Sequence, residues 1–126
     1  CLDALEEILK MPSGFGGPAI GYFIDPVRVY YEGDNAFLKK YSQVIKKPMD
    51  YGTIISGVCE GRYSNIETII NDAKLIAENC EKWYASSYKS TKEVARETDP
   101  LTIDAWMLFR KFQTEISERI PSSLHR

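Results

Sequence analysis

The longest helical pattern of the sequence lies between residues 66 and 83, where apolar residues recur at spacings of three and four. These residues are Ile66, Ile69, Ile70, Ala73, Ile76, Ala77, Cys80 and Trp83. Just before them, Ser64 and Glu67 have the spacing of a capping box, in which the serine caps the helix and the glutamate reaches back to it. The pattern predicts a helix of roughly five turns with one buried face.

Two shorter helices are predicted in the first half of the chain. Residues 1–11 carry an apolar stripe, and the prolines and glycines of residues 12–18 end that helix because they fix φ, allow positive φ and remove donors. Asp50 is a suitable N-cap for the second helix, and Gly61 is a suitable C′ residue to close it. The apolar residues of this second helix are Ile54, Ile55 and Val58.

A last helix is predicted from Asp99 onward. Asp99 is its N-cap and Pro100 its first residue, a position where a missing N–H leaves no bond unmade. Its apolar stripe consists of Leu101, Ala105, Leu108, Phe109, Phe112 and Ile116, and Pro121 ends it. Because no segment has a convincing strand pattern, the sequence predicts an all-α fold with four helices.

Two segments between these helices lack a clear period and are predicted to be loops. The first runs to Pro48 and is rich in aromatic residues, and long ordered loops of this kind are usually functional. The second covers residues 84–99, where only Val94 and Ala95 would support a turn of helix. In a helical bundle the two loops are able to meet at one end.

Length and composition restrict the class of protein. A chain of 126 residues fits a single domain, residues 1–126, with one continuous core. A hydrophobic fraction of 44% and a charged fraction of 27% are typical of an ordinary globular domain. No apolar run approaches the ~20 residues that a membrane span requires, so no membrane partner is expected.

The formal net charge of -2 argues against a surface devoted to nucleic acid, because such surfaces usually carry a basic patch. Four lysines lie close together, but a solvated face explains them better than sequence-specific nucleic-acid binding; they are Lys39, Lys40, Lys46 and Lys47.

The sequence offers no catalytic or metal-binding cluster. His125 is the only histidine, there is no CxxC, and no nucleophile is paired with a histidine. The three cysteines, Cys1, Cys59 and Cys80, form no paired framework, which suits a reducing compartment. We therefore expect a protein that is not an enzyme and that needs no metal and no cofactor.

The segment "IKKPMDYGTI", residues 45–54, and its surroundings resemble a bromodomain, the family that reads acetyl-lysine. Counted from the Pro-Met-Asp motif, the family pattern is matched without a gap from Tyr41 to Tyr84. The matching residues are Tyr41, Pro48, Met49, Asp50, Gly52, Thr53, Ile54, Tyr63, Asp72, Asn79 and Cys80. The resemblance implies a left-handed four-helix bundle with a long first loop and an extended second loop that form a pocket at one end.

The resemblance also implies which residues line that pocket. Tyr41 would hold a water that bridges to the acetyl carbonyl. Val27 is a wall residue, Leu38 is the best candidate for another, and Phe23 belongs to a shelf in which Gly21 and Tyr22 replace the usual Trp-Pro.

Residues of the predicted third and last helices complete the expected pocket. Asn79 and Cys80 lie beside it in the family pattern, and we also weigh Asn79 as a tie between the loops. At the end of the second loop, Leu101 or Ile103 is the candidate gatekeeper.

Tyr84 stands where the family has its anchor asparagine, five residues after Asn79. An asparagine offers an amide donor on a short stem, whereas a tyrosine offers one hydroxyl at the end of a rigid ring. Two readings remain open. The hydroxyl donates to the acetyl carbonyl with weakened affinity, or the ring fills the cavity and abolishes acetyl-lysine binding.

The leading functional hypothesis is a nuclear binding module for acetylated histone tails, or for another acetylated nuclear protein, within a chromatin-associated polypeptide. Affinity is expected to be weak or altered because of Tyr84. The alternative is a pseudo-reader that serves as a docking surface for subunits of a chromatin complex. In both cases we expect a monomeric domain.

Overall fold

The structure is a computed structural model that describes Phe23 and residues 31–119. It contains five α-helices: α1 Asn35–Val44, α2 Tyr51–Cys59, α3 Ile66–Ser87, α4 Lys92–Thr98 and α5 Pro100–Arg119. No strand occurs in this part of the chain, which confirms the all-α prediction. The helix predicted at residues 1–11 and the stop at Pro121 lie outside the described residues.

The hydrophobic core lies between α2, α3 and α5, and α3 packs against each of the other four helices. The predicted stripes of α3 and α5 are confirmed, with Ile66 as the main exception because it is 38% exposed. The buried core residues are Phe23, Tyr51, Ile54, Ile69, Ala73, Ile76, Ala77, Ala105, Leu108, Phe109, Phe112 and Ile116.

Most of the predicted helix ends are confirmed. The Asp50 carboxylate accepts from the Thr53 N–H at 2.7 Å, and the Asp99 carboxylate accepts from the Thr102 N–H at 3.1 Å. Gly61 has a φ of +72°, the left-handed conformation that closes α2.

The predicted start of α3 is wrong by one residue. Its N-cap is Asn65, whose side-chain oxygen accepts from the Thr68 N–H at 2.9 Å, and not Ser64. Asparagine and serine are equally good N-caps, and the extended backbone of Asn65 places its side chain over the first turn.

The prediction of an unbroken first loop is wrong at residues 35–44, which form α1. Asp34 caps this helix, since its carboxylate accepts from the Phe37 N–H at 3.1 Å. No residue of α1 is fully buried, and Phe37, Leu38 and Tyr41 are half-buried. The helix was missed because it packs on α3 through a few aromatic rings and has no long apolar stripe.

The prediction of a second loop at residues 84–99 is also wrong. Helix α3 continues to Ser87, α4 occupies Lys92–Thr98, and only residues 88–91 connect them. The Thr91 hydroxyl accepts from the Val94 N–H at 3.2 Å, and Ala95 is fully buried. So short a helix depends on contacts with distant residues, which no local pattern reveals.

Within the stretch from 31 to 119, no helix combines the length and the apolar character that crossing a membrane would need. The same residues include no group of three or more His, Cys, Asp or Glu side chains placed to hold a metal ion.

Candidate binding site

Helix α1 is attached to α3 by four aromatic side chains, Tyr31, Phe37, Tyr41 and Trp83, which we call the aromatic wall. The Tyr31 and Phe37 rings stack with centroids 3.9 Å apart. Phe37 meets Trp83 edge-on at 5.2 Å, and Tyr41 contacts the same indole at 5.2 Å. The two separations of 5.2 Å lie within the usual range of centroid distances for aromatic pairs, and the separation of 3.9 Å lies just below it. Such pairs add to the stabilisation that comes from buried area alone. The wall therefore fixes the position of Tyr41 on the side of α3.

Tyr41 of the aromatic wall lies close to Cys80 of α3, and both side chains are neutral at physiological pH. Burial raises the pKa of Tyr41 to about 12, and the nearby thiol of Cys80 adds to the rise. Burial likewise raises the pKa of Cys80 to about 12, although the Thr102 hydroxyl lies 3.6 Å from its Sγ and opposes the shift. The phenol of Tyr41 therefore remains a hydrogen-bond donor in an environment that suits neutral groups.

The end of the first loop is tied to α3 by Asn79. The side-chain amide of Asn79 is buried and donates to the Lys47 carbonyl at 2.8 Å, next to Pro48. A neighbouring contact joins the Lys47 ammonium to Asp72 at 3.7 Å, but that ammonium is largely exposed and contributes little. The Asn79 bond thus holds the backbone that leads from Tyr41 into α2.

Tyr63 and Asp72 form a further contact between α3 and the residues that follow α2. The Tyr63 hydroxyl donates to the Asp72 carboxylate at 2.8 Å. The Tyr63 ring lies so near Gly57 that a Cβ at that position would come within 2.6 Å of it. Gly57 is therefore required for the close approach of this ring to α2.

Phe23 lies in the core rather than at an open surface. Its side chain is 9% exposed and belongs to the cluster that contains Tyr51. Its carbonyl accepts from the Tyr51 N–H at 2.8 Å, which satisfies one of the free donors at the start of α2. Val27, the other predicted residue of this segment, lies outside the described residues.

Tyr84 lies in the last turns of α3 and packs against Tyr88. The two ring centroids are 4.8 Å apart with an interplanar angle of 36°. Tyr84 is half-buried, and Tyr88 is 71% exposed. Among the described residues the Tyr84 hydroxyl makes no hydrogen bond. Tyr84 and Tyr88 thus form a pair of packed rings one helical turn apart.

The two gatekeeper candidates face different surroundings. Leu101 is half-buried and packs against the core cluster, whereas Ile103 is 40% exposed. Ile103 lines an outer groove of about 310 Å³ whose described lining also includes Arg96, Trp106, Phe109 and Arg110.

The predicted residues Tyr41, Asn79, Cys80 and Tyr84 thus lie on α1 and the second half of α3, and a family model matches the sequence of this region. The model described as "Bromodomain" matches residues 2–96. The chain belongs to the bromodomain family. The bromodomain fold is a binding module, and the matched range includes every predicted site residue except Leu101.

Individual relatives of this bromodomain are proteins of chromatin and transcription. Human bromodomain adjacent to zinc finger domain protein 2B is 49% identical over 41 residues, which are 32% of this chain and 2% of that protein. TFIID subunit 1 of Drosophila melanogaster is 40% identical over 55 residues, 44% of this chain and 3% of that protein. Histone acetyltransferase GCN5 of Debaryomyces hansenii is 32% identical over 83 residues, 66% of this chain and 16% of that protein. The chain therefore corresponds to a small part of each relative.

Solved structures give the same result for the fold. The crystal structure of PP-BRD20 from Tb427tmp, complexed with BI-2536, superposes with a TM-score of 0.65 and is 28% identical. The superposition covers 94% of this chain and 84% of the other.

One functional-site neighbour of this bromodomain was missed at the sequence level. Glu81 is 2% exposed, and its carboxylate accepts from Arg96 and from the Trp106 indole N–H. The only available signal was position, since Glu81 follows the buried Ala73 and Ala77 at helical spacing. A charged residue within a buried stripe implies a partner, but the sequence does not reveal which one.

Proposed function

We propose that this bromodomain binds acetylated lysine beside the aromatic wall, in the region of Tyr41, Cys80 and Tyr84. The observation that carries the proposal is the neutral, half-buried phenol of Tyr41 on α1 beside Cys80, with the backbone that follows α1 held in place by Asn79. A buried amide needs one or two hydrogen bonds and apolar surroundings for its stem. An ionised lysine would have to leave water without a partner charge, which costs far more.

The remaining predicted residues have supporting parts in this proposal. Val27, Leu38 and Leu101 contribute apolar surface, and Phe23 acts from the core, where it packs in the cluster that contains Tyr51. Asn79 and Cys80 act from α3, Asn79 by holding the loop. Tyr41 is the residue that holds a water bridging to the acetyl carbonyl.

Tyr84 is proposed to weaken the affinity for the acetyl group. An anchor asparagine would offer an amide donor on a short stem, whereas the Tyr84 hydroxyl is carried by a ring that packs on Tyr88. We therefore expect binding weaker than an asparagine at position 84 would give.

We propose acetylated histone tails, or another acetylated nuclear protein, as the partner class, and a nuclear, monomeric domain that is not an enzyme. The support is the family together with the names of the relatives, which include a TFIID subunit and a histone acetyltransferase. Other subunits of a chromatin complex are proposed as additional partners.

The second candidate function is a pseudo-reader that docks other proteins. It is favoured by Tyr88, a large aromatic side chain that is 71% exposed beside the anchor position. Exposed tyrosines are frequent anchors of protein interfaces.

Titration of acetylated and unmodified histone-tail peptides tests the proposal, with binding followed by the ligand-linked rise in melting temperature. We expect weak stabilisation by acetylated peptides alone, tighter binding by Tyr84→Asn, and a loss in Tyr41→Phe. Tyr84→Phe separates the two roles of Tyr84: weaker binding indicates that the hydroxyl donates, and unchanged binding indicates that only the ring matters. Equal responses to acetylated and unmodified peptides would favour the docking function instead.

A further inference from the structure

Glu81 is the most deeply buried carboxylate among the described residues, and it joins three helices. From α3 its carboxylate accepts from Nε and Nη2 of Arg96 on α4, the latter at 3.0 Å. It also accepts from Nε1 of Trp106 on α5 at 3.0 Å. The Arg96 guanidinium lies 4.6 Å from the Trp106 ring centroid, so the two donors also contact each other.

The hydrogen bonds of the Glu81 carboxylate depend strongly on the orientation of their donors, whereas apolar packing does not. A two-point contact between a guanidinium and a carboxylate fixes both distance and orientation. The carboxylate is also held by a third donor, so its position on α3 fixes Arg96 and Trp106 at once. Since a buried carboxylate without donors is strongly unfavourable, this geometry resists partial opening.

Helix α4 needs such a contact because it has only seven residues. Isolated helices of this length are unstable in water. It is also supported by the Thr91 cap, by the buried methyl group of Ala95 and by packing against α3 and α5. Among these contacts the one with Glu81 consists of charge-assisted hydrogen bonds, so it fixes the orientation of α4 on α3.

The position of α4 in turn restricts Tyr88. Four residues, 88–91, separate α3 from α4, and they are already constrained. The Ser90 N–H donates to the Ala85 carbonyl at 2.8 Å, and Lys89 has a φ of +50°, which is uncommon for a residue with a side chain. Tyr88 caps α3, and its N–H donates to the Tyr84 carbonyl at 3.0 Å. Because the connection to α4 is short and already constrained, we expect a shift of α4 to displace the Tyr88 side chain.

We propose that Glu81, Arg96 and Trp106 form a clamp that holds Tyr88 against Tyr84 and thereby sets the shape of the anchor position. They are positioning residues, since they act on the bound acetyl group only through Tyr88 and Tyr84. The part of the inference that concerns affinity rests on the proposed acetyl-lysine binding. The part that concerns the two tyrosines does not.

The first experiment needs no ligand. Amide hydrogen exchange and ring-to-ring NOEs are measured in the domain and in the variants Arg96→Lys and Trp106→Phe, which keep the packing and remove part of the hydrogen bonding. We expect exchange to become about tenfold faster in residues 88–98, unchanged exchange in α2, and a weaker Tyr84–Tyr88 NOE. Unchanged exchange in residues 88–98, or equal acceleration in α2, would overturn the clamp.

The matched control is Lys111→Ala. Lys111 forms an ion pair at 2.6 Å with Glu115, another carboxylate with little exposure on α5, and the two residues lie five and nine positions after Trp106 in the sequence. This variant tests whether loss of any ion pair to a buried carboxylate disturbs the connection. It is expected to leave the exchange of residues 88–98 and the Tyr84–Tyr88 NOE unchanged.

The second experiment measures affinity for an acetylated peptide in a double-mutant cycle. We expect Trp106→Phe to change the Kd at least about fivefold in the wild-type background and to have almost no effect in a Tyr88→Ala background. Additive effects would show that the clamp does not act through Tyr88 and would overturn the inference. If the wild type binds no acetylated peptide, the proposed function fails, and the exchange and NOE measurements still decide on the clamp.

Discussion

Helices α1 and α4 are attached to the same helix, α3, by different physical means. The aromatic wall holds α1 through ring contacts, with no fully buried residue on α1 itself. The Glu81 carboxylate holds α4 through directional, charge-assisted bonds. Dispersion and apolar contacts weaken gradually as side chains shift, whereas a buried carboxylate without its donors is costly. We therefore expect the α1 side to adapt to a ligand and the α4 side to remain fixed.

The largest effect is expected from removing the centre of the aromatic wall. Trp83→Ala should lower the free energy of unfolding by about 3 kcal/mol, because Trp83 is the ring that both Phe37 and Tyr41 contact. Urea unfolding measures the loss, and hydrogen exchange should rise in α1 and stay unchanged in α4. Trp83→Phe is the matched control and should lose less. Faster exchange in α4 would show that the two sides are not independent.

A smaller effect is expected from removing the cap of α4. Thr91→Ala should cost about 1 kcal/mol, because the Thr91 hydroxyl accepts from the Val94 N–H at 3.2 Å. The loss should appear in urea unfolding and as faster exchange confined to α4, while α1 is unaffected. Lys92→Ala, at the exposed next position, serves as the control. A Thr91→Ala variant as stable as the wild type would mean that the clamp alone determines α4.

The smallest change in the free energy of unfolding is expected from a substitution in the core, Tyr51→Phe, and it should not be destabilising. The Tyr51 hydroxyl is buried and has no hydrogen-bond partner among the described residues, so Tyr51→Phe should be neutral or more stable by up to about 1 kcal/mol. Thermal or urea unfolding measures this. A clear loss of stability would indicate that the hydroxyl has a partner, such as a buried water, that the core requires.

Tyr41, which lies on the α1 side, is expected to change the pH dependence of stability only at alkaline pH. Burial raises the pKa of Tyr41 to about 12, and burial together with the Asp72 hydrogen bond raises that of Tyr63 to about 12, from an ordinary value of 10.0. The folded state then keeps protons that the unfolded chain releases, so stability is fully present below pH 10 and is lost as the pH rises toward 12. Tyr41→Phe should flatten this alkaline loss in urea unfolding. An unchanged loss would place the titrating groups elsewhere.

Sequence reasoning recovered the elements whose signals are local. The long stripe of α3, the stripe of α5 and the caps Asp50, Gly61 and Asp99 are set by residues within one or two turns of each other. Helices α1 and α4 were missed because their stability comes from contacts across the chain, such as Phe37 with Trp83 and Arg96 with Glu81. Periodicity cannot reveal such partners.

The residues of the candidate site also divide into those that the sequence indicated and those that it did not. The motif around Pro48 pointed to Tyr41, and the possible role of Asn79 as a tie agrees with its bond to the Lys47 carbonyl. Glu81 gave no signal of its own, and nothing in the sequence indicated that Tyr88 packs on Tyr84. An exposed-looking tyrosine in a polar run and a glutamate in a helix are ordinary on a surface, and only the fold shows that one packs on Tyr84 and the other is buried.

The most direct test of the account is an NMR titration of the labelled domain with an acetylated histone-tail peptide and its unmodified twin. The account predicts chemical-shift changes centred on Tyr41, Cys80 and Tyr84 with the acetylated peptide alone, larger for residues of α1 than for residues of α4. Changes of equal size with both peptides, or no change at Tyr41 and Cys80 with either, would contradict it.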